Sequence, residues 1–517
     1  MRKPTNRLKY SVLNLSASWL NQLAVIVFRF ANRMVFVRVL AKEYLGLSGL
    51  FSDVLALLSL AELGVGAAIS YHLFKPLAEK DEEQIAALMN LFRRVYTVIG
   101  VFVFAAGAAL TPFLPFFIKE IPNIPHLSLI YLLFVLNSAV TYFFSYKGVL
   151  LDADQHGFIG TVIGTCTNCV ATIVQIALLL LTGNYVCYLI TTVVFTLIGN
   201  FIMSAVADRR YPFLKNCRKV LPTREKIREV MQYIRAMMLH KVGGVAVNST
   251  DNVIISKFIG LAVGGMYSNY VLLSTCLHKI VGQVFSAVGA SVGSLGATEP
   301  VERQKTVFSR LLLLDFWGYS YAACGLVCVA TPLILLCFGS QYEMPNAIPV
   351  LLSVSFYLTG MRKTVQTFNS SIGLLRHNRY APLVEAAINL IVSVWLAQTI
   401  GLAGVIIGTI ISTVCVPLWV EPLVLYRVQF QQSVLPYLLR LTGSTLLAAA
   451  ECWLSWQLCA LVQGPLLAEV LYRIAVCTVV CNGVNFLVYG RTDEFHFYLG
   501  LLRSLRNRLH KKTKDTQ

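Results

Sequence analysis

Charged side chains are scarce in this sequence, and acidic ones are the scarcest. Asp, Glu, Lys and Arg make up only 13% of the 517 residues, against roughly a quarter of a soluble domain. There are 25 acidic residues against 43 basic ones, so the formal net charge is +18. Apolar residues reach 56%, and the mean hydropathy is +0.67. This composition excludes an ordinary soluble domain and indicates a chain that lies in a membrane.

Motifs of soluble enzymes are also missing. The sequence contains no P-loop, no GxSxG and no HExxH, and its polar segments of about 10–35 residues are too short to bind a nucleotide sugar. These absences argue against an ATP-driven pump and a glycosyltransferase. A polysaccharide polymerase would need a large outer loop, and the longest outer loops expected, near 119–126 and 339–346, are short. We expect no cofactor and no metal.

The thirteen cysteines lie mostly in apolar stretches, as in the pairs Cys324/Cys328 and Cys477/Cys481. Cys166 and Cys169 form a CxxC motif with no second pair. We interpret the cysteines as small buried side chains rather than as redox or metal ligands.

Fourteen apolar stretches are long enough to cross a bilayer as helices, and they far exceed the length of a barrel strand. The predicted spans are 11–36, 45–73, 93–118, 127–148, 158–182, 184–206, 240–259, 263–293, 308–338, 346–369, 381–400, 402–425, 438–460 and 466–489. No cleavable signal peptide is expected, because the first span is too long for one.

Basic residues flank alternate gaps between these spans. About 35 of the 43 Lys and Arg fall on one side, and Arg38, Lys42, Lys119 and Lys257 fall on the other, which predicts cytoplasmic termini. Basic residues scattered over short loops favour contact with anionic membrane lipids rather than with nucleic acid.

The longest polar interruption follows the sixth span and divides twelve spans into two sets of six. A faint repeat supports this division, since Arg38 precedes Gly46 by eight positions, as Lys257 precedes Gly265. We predict an all-α polytopic membrane protein with 14 transmembrane helices, as two pseudo-symmetric six-helix bundles plus two extra C-terminal helices. The predicted domains are a first bundle at 1–207, a cytoplasmic connector at 208–239, a second bundle at 240–430, the extra pair at 431–490 and a basic tail at 491–517.

The connector and the tail each predict an amphipathic helix lying on the inner leaflet, with a specific partner site as the alternative. The apolar face in the connector comprises Ile227, Val230, Met231, Ile234 and Met238. The corresponding face in the tail comprises Phe497, Leu501, Leu505 and Leu509.

Span one carries a polar stripe on an otherwise apolar helix. The stripe comprises Asn14, Ser18, Gln22, Arg29 and Arg33. Guanidinium groups suit phosphate oxygens, so Arg29 and Arg33 predict a site for a phosphate or diphosphate. The alternative is that Asp53 or Glu62 of span two neutralises them.

Further polar residues lie in the other predicted spans. Asp53, Glu62 and Asp251 are candidates for ion or proton coupling, although Glu62 could instead pair with an arginine. Lys279 is a second candidate anion ligand, with an ion pair to Asp251 as its alternative. The remaining candidates for a hydrated cavity are Asn248, Asn252, Thr275 and Gln283.

Three further interpretations concern single residues or pairs of residues in the predicted spans. His278 is expected to be a packed histidine rather than a titrating switch. Gly64 and Gly66 are expected to allow close helix packing, with a bend as the alternative. Glu451 and Arg473 are expected to form an ion pair between the last two spans.

Three segments carry a family resemblance. Phe36–Asp53, Ser59–Gly66 and Thr250–Gly260 resemble the polysaccharide-flippase (Wzx-type) branch of the multidrug/oligosaccharidyl-lipid/polysaccharide superfamily. The resemblance implies two helical bundles that alternate access to a central cavity in the bacterial cytoplasmic membrane. It also implies a polyprenyl-diphosphate-linked oligosaccharide as cargo, and polysaccharide assembly proteins as possible partners.

In the related lipid II flippases, cations on spans one and eight face the cavity, which corresponds here to Arg29, Arg33 and Lys279. The arginine that span two contributes in those relatives has no counterpart in this sequence. The functional alternatives are a lipid II-type flippase and a cation-coupled drug exporter on the same fold. A non-transporting scaffold would not need cations within the membrane.

Overall fold

The computed structural model describes residues 22, 24–62, 64–120, 122, 124–216, 220–462, 464–501 and 503. Within this part of the chain all regular structure is helical, as predicted. The helices are α1 (24–39), α2 (Lys42–Leu58), α3 (Val65–Glu79), α4 (Glu82–Ala109), α5 (Leu114–Phe117), α6 (Leu127–Ala153), α7 (Gly157–Thr182), α8 (Tyr185–Arg210), α9 (Phe213–Asn216), α10 (Arg224–Asn248), α11 (Asp251–Ile254), α12 (Leu261–Thr298), α13 (Val301–Phe338), α14 (Ala347–Gly360), α15 (Lys363–Ile372), α16 (Ala381–Ile400), α17 (Leu402–Cys415), α18 (Pro417–Val424), α19 (Leu435–Cys459), α20 (Leu466–Tyr489) and α21 (493–501).

Nine helical segments among the described residues are long and apolar enough to cross a membrane. They are Glu82–Ala109, Leu127–Ala153, Gly157–Thr182, Tyr185–Arg210, Leu261–Thr298, Val301–Phe338, Arg376–Ile400, Leu402–Phe430 and Leu466–Tyr489. The chain is therefore an all-helical, multi-pass membrane protein. The count of fourteen spans stays a prediction.

Five of the predicted spans are interrupted helices, among them 93–118, which breaks between α4 and α5, and 402–425, which breaks between α17 and α18. The span predicted at 45–73 is divided by a tight turn at Ser59–Glu62 and by Gly64, whose φ of 91° is a conformation that glycine adopts at little cost. The span at 240–259 breaks between α10 and α11, and the span at 346–369 breaks between α14 and α15. Gly64 therefore forms a bend, which is the less favoured of its two interpretations.

The described chain packs as two compact units. The first consists of Met1–Ser268 with Pro382–Val405, and the second of Asn269–Ala381 with Ile406–Gln517. The first unit continues past the connector because α10 packs against α3. The domain boundaries predicted at the connector stay a prediction.

The core of the first unit lies among α3, α4, α6, α8 and α10. Its centre includes Leu73, Leu88, Phe92 and Leu150, each 0% exposed. In a membrane such helices are stabilised by close van der Waals packing more than by exclusion of water.

The amphipathic helix of the connector packs on this core through its apolar face. Val230 and Ile234 are buried there, and Ile227, Met231 and Met238 pack against it. The predicted apolar face is thus the buried one and it covers protein, while the position of the helix at the inner leaflet stays a prediction. The tail helix α21 contacts protein through Tyr498, whose hydroxyl donates to the Arg310 carbonyl at 3.0 Å, whereas Phe497 and Leu501 of its predicted apolar face are exposed. Leu505 and Leu509 lie outside the described residues.

The second unit is arranged around α13, which packs against α14, α15, α19 and α20. Its buried side chains include Phe308, Phe316 and Tyr319. The two predicted extra helices, α19 and α20, therefore lie on α13.

Residues at equivalent positions of the predicted repeat contact one another reciprocally within the first unit. Gly46 packs so closely on α12 that an added Cβ would lie 2.1 Å from the Leu261 carbonyl oxygen. A Cβ on Gly265 would lie 2.0 Å from the Lys42 carbonyl oxygen. Leu261 lies 219 positions after Lys42, and Gly265 lies 219 positions after Gly46. The contact of Gly46 with Leu261 therefore corresponds to the contact of Gly265 with Lys42, with the two repeats exchanged.

A second pair of contacts obeys the same rule. Arg33 Nη2 lies 3.5 Å from the Ser268 carbonyl oxygen. The equivalents of these two residues are Asn252 and Gly49, and a Cβ on Gly49 would lie 3.2 Å from Asn252 Cγ. Reciprocal contact of equivalent positions is the property of a two-fold axis, so the geometry agrees with the predicted pseudo-symmetry.

Candidate functional site

The rotation of α1 is fixed by its contacts with α8. Phe36 packs edge-on against Tyr185 and Tyr188, with ring centroids 5.5 and 5.6 Å apart. One turn earlier, Asn32 donates to the Tyr188 hydroxyl at 2.7 Å. The aromatic face of α1 is therefore held against protein, and this sets the direction of its basic residues.

Arg29 and Arg33 lie one helical turn apart on α1. Arg29 is exposed, whereas Arg33 is half-buried beside the Ser268 carbonyl. Of the other residues in the predicted stripe, Gln22 is half-buried, and its Nε2 atom is buried with no hydrogen-bond partner in the described part of the chain. Asn14 and Ser18 lie outside the described residues.

Asp53 on α2 is joined to the second repeat by Asn252. The Asn252 amide donates to Asp53 Oδ2 at 2.9 Å, and both side chains are half-buried. The Asp53 carboxylate thus accepts a hydrogen bond from the side chain of Asn252 on α11, rather than forming an ion pair with an arginine of α1. A residue expected to couple ions and a residue expected to face sugars are in direct contact.

Glu62 lies at the interruption between α2 and α3. Its Oε1 atom accepts from the hydroxyl of the buried Tyr96 at 3.4 Å. Asp251 is half-buried at the start of α11 and lies near Tyr267. Asn248 is the last residue of α10, and its side chain lies outside what the structure describes.

On α12, Thr275, Lys279 and Gln283 follow one another at intervals of one turn and belong to the second unit. Lys279 is exposed, and the other two are half-buried. His278 beside them packs against Tyr319 and Phe356, with ring centroids 5.5 and 4.2 Å away. This contact agrees with the expected packed histidine.

Lys363 is a cation beside this row that sequence analysis missed. A Cβ on Gly282 would lie 3.9 Å from Lys363 Cε, so the lysine stem lies about one turn from Lys279. Its helix α15 is anchored by the buried Asp315, which accepts from the Thr364 amide at 3.0 Å and hydroxyl at 2.8 Å. Lys363 has no ion-pair partner among the described residues. The available signal was the pair Arg362-Lys363 in the middle of an apolar stretch.

The neighbouring Arg362 is already neutralised. Its Nη2 and Nε atoms donate to the Glu421 carboxylate at 2.7 and 3.2 Å, and the two side chains are only 12% and 11% exposed. A two-pronged ion pair of this kind fixes the helix interruption in place.

The expected ion pair between Glu451 and Arg473 was wrong. Arg473 Nη2 pairs with Glu469 at 2.5 Å, and its Nη1 donates to the Cys328 carbonyl at 2.8 Å. Glu469 precedes Arg473 by four residues on the same helix, where the two side chains meet without help from another helix.

Comparison with known proteins bears on the family. Residues 11–290, more than half of the chain, match the family model described as polysaccharide biosynthesis protein. The chain belongs to this family. No curated protein sequence matches it.

Solved structures give the fold. Lipid II flippase MurJ in its inward closed conformation is similar, with a TM-score of 0.69 and 12% identity, over 92% of this chain and 99% of that one. An inward-facing multidrug resistance MATE family transporter of the MOP superfamily has a TM-score of 0.58 and 16% identity, over 80% and 98%. A Vibrio cholerae MATE transporter has a TM-score of 0.57 and 11% identity, over 83% and 99%. At these identities the likeness shows the fold, which this chain shares with these structures. The resemblance found in the sequence is thus confirmed.

This member of the polysaccharide biosynthesis family also has a polar cavity, apart from the residues described above. A space of about 300 Å³ lies among α6, α7 and α8. Its lining includes Asn168, Gln175 and Asn200, and Gln175 donates to Thr192 at 2.9 Å. The polar residues of α7 recur every three or four positions in the sequence, which is the signal that could have revealed them.

Proposed function

We propose that the protein is a flippase that translocates a polyprenyl-diphosphate-linked oligosaccharide, a repeat unit of a cell-surface polysaccharide, by alternating access. Family membership and a fold shared with flippases and exporters support this proposal. The observation that carries it is the pair Arg29 and Arg33 on one face of α1, with Arg29 exposed on an apolar helix. A cation kept at such a position is costly unless it has an anionic partner.

The diphosphate is the group that these arginines suit. Guanidinium forks bind phosphate oxygens through paired hydrogen bonds. Lys279 and Lys363 are cations of the second unit. In this proposal they bind the same diphosphate as it moves. The sugars would be met by polar groups such as Gln22, Asn252, Thr275 and Gln283, and the prenyl chain would remain in lipid.

The proposed orientation in the membrane is based on the uneven distribution of Lys and Arg between the two sides. The proposed location is the bacterial cytoplasmic membrane, with both termini cytoplasmic. Because the cargo would be delivered by enzymes and consumed by polymerising machinery, proteins of polysaccharide assembly are the proposed partners, together with anionic lipids.

Two alternative functions are open to test. A cation-coupled drug exporter is favoured by the acids Asp53 and Glu62 and by the likeness to MATE transporters. A lipid II-type flippase is favoured by the likeness to lipid II flippase MurJ. Arg29 and Arg33 argue against the first rival, since a cationic drug would be repelled by them.

Export of the native glycan in a deletion strain tests the proposal. We expect Arg29→Gln/Arg33→Gln to lower surface glycan more than about tenfold, because two charge-assisted contacts to phosphate are lost. Arg224→Gln/Arg228→Gln is the matched control, since it removes two exposed arginines at the same spacing on α10. Full export by the first variant at equal expression would refute the diphosphate site. Drug resistance or lipid II transport without glycan export would favour the corresponding rival.

A further inference from the structure

Cysteines from two distant parts of the sequence meet in the second unit. Cys324 and Cys328 lie one turn apart on α13, and Cys477 and Cys481 lie one turn apart on α20. All four are at most 1% exposed. The sulfur atoms of Cys324, Cys328 and Cys477 lie within 4.8 Å of one another.

An acidic side chain lies beside these thiols. Glu451 on α19 is 1% exposed and is close to Cys324 and Cys481. Both of its carboxyl oxygens are buried with no hydrogen-bond partner in the described part of the chain. A buried carboxyl group in that state is costly unless a proton or a cation satisfies it.

We propose that Cys324, Cys328 and Cys477 bind one thiophilic d¹⁰ metal ion, Zn²⁺ or Cu⁺, with Glu451 as the neighbouring acidic group. Three sulfurs around Zn²⁺ at about 2.3 Å lie about 3.8 Å apart in tetrahedral geometry. The sulfurs here are at most 4.8 Å apart, which is no more than about 1 Å beyond that separation. Sulfur donors favour these soft ions over Mg²⁺ and Ca²⁺.

Charge balance favours Zn²⁺ over Cu⁺ within this class. Binding by three thiolates releases three protons to water, which leaves one net negative charge with Zn²⁺ and two with Cu⁺. Buried net charge is expensive, so the ion that leaves less of it is the better fit. The ion would join α20 to α13 and thereby fix the predicted extra helix pair, a role separate from the proposed transport.

Metal content of the purified full-length protein tests the site. The protein is kept reduced, stripped with chelator, loaded with Zn²⁺ or Cu⁺ in separate arms, and analysed by mass spectrometry. We expect about one ion per chain in one arm, and less than about a tenth of that in Cys324→Ser/Cys328→Ser. The control Cys166→Ser/Cys169→Ser removes another helical cysteine pair and is expected to retain the ion.

X-ray absorption of the loaded wild-type protein keeps the test decisive if the cysteine variant does not fold. A coordination shell with three sulfurs supports the site. A shell of only nitrogen and oxygen overturns it, as do absence of bound ion in both arms, retention of the ion by a folded Cys324→Ser/Cys328→Ser variant, and loss of the ion from the control. A disulfide between Cys324 or Cys328 and Cys477 in unreduced protein would also overturn it.

Discussion

Gly46 and Gly265 occupy equivalent positions of the internal repeat and lie on the two sides of one helix crossing. A Cβ on Gly46 would lie 2.1 Å from the Leu261 carbonyl oxygen, and one on Gly265 would lie 2.0 Å from the Lys42 carbonyl oxygen. Backbone thus meets backbone at this crossing, where only glycine fits.

Alanine at either glycine is expected to destabilise the protein by about 1–3 kcal/mol, because the backbone must move. The losses should be similar for Gly46→Ala and Gly265→Ala, since their contacts are equivalent. Thermal unfolding in detergent measures this. Gly148→Ala and Gly164→Ala are the controls, because a Cβ at either position has no neighbour within 4 Å. Equal stability of Gly46→Ala and a control would contradict the close crossing.

The Arg362–Glu421 ion pair is expected to hold the interruption between α14 and α15. Removing one partner by Arg362→Ala or Glu421→Ala should cost about 3–5 kcal/mol, since the other charge stays buried. A double-mutant cycle on unfolding free energy measures the coupling. The exposed pair Lys75–Glu79, 80% and 56% accessible, should show a coupling below about 1 kcal/mol. Equal couplings for the two pairs would argue against a structural role at the interruption.

Lys363 is expected to act on the cargo rather than on stability. Lys363→Gln should lower glycan export more than about tenfold through loss of an anion contact, with unchanged thermal unfolding. Lys75→Gln, which removes an exposed lysine, should leave export unchanged. Normal export by Lys363→Gln would remove this residue from the proposed anion path.

The Asp53–Asn252 hydrogen bond predicts a pH-dependent variant. Asn252→Asp would place two carboxyl groups about 3 Å apart, where one shared proton is stabilising and two negative charges repel. Stability relative to wild type should therefore fall as pH rises from acid to neutral. Asn252→Ala is the control, since it removes the bond without adding charge. Parallel pH profiles for the two variants would contradict the contact.

Sequence analysis predicted the helical class, the repeat and the buried face at Val230 and Ile234, because apolar periodicity is a local property. It missed the interruptions, since a glycine such as Gly64 is compatible with both packing and bending. It also missed the meeting of Cys324 with Cys477, because contacts between distant helices depend on packing that no linear pattern displays. Arg473 was assigned to the wrong acid because its nearest partner lies on its own helix.

Translocation by the purified protein tests the central claim most directly. Proteoliposomes would carry a fluorescent polyprenyl-diphosphate oligosaccharide, and a membrane-impermeant quencher would report its transfer between leaflets. We expect transfer by wild type and by Arg224→Gln/Arg228→Gln, and transfer near the protein-free background by Arg29→Gln/Arg33→Gln. Wild-type transfer by the last variant would contradict a diphosphate site on α1.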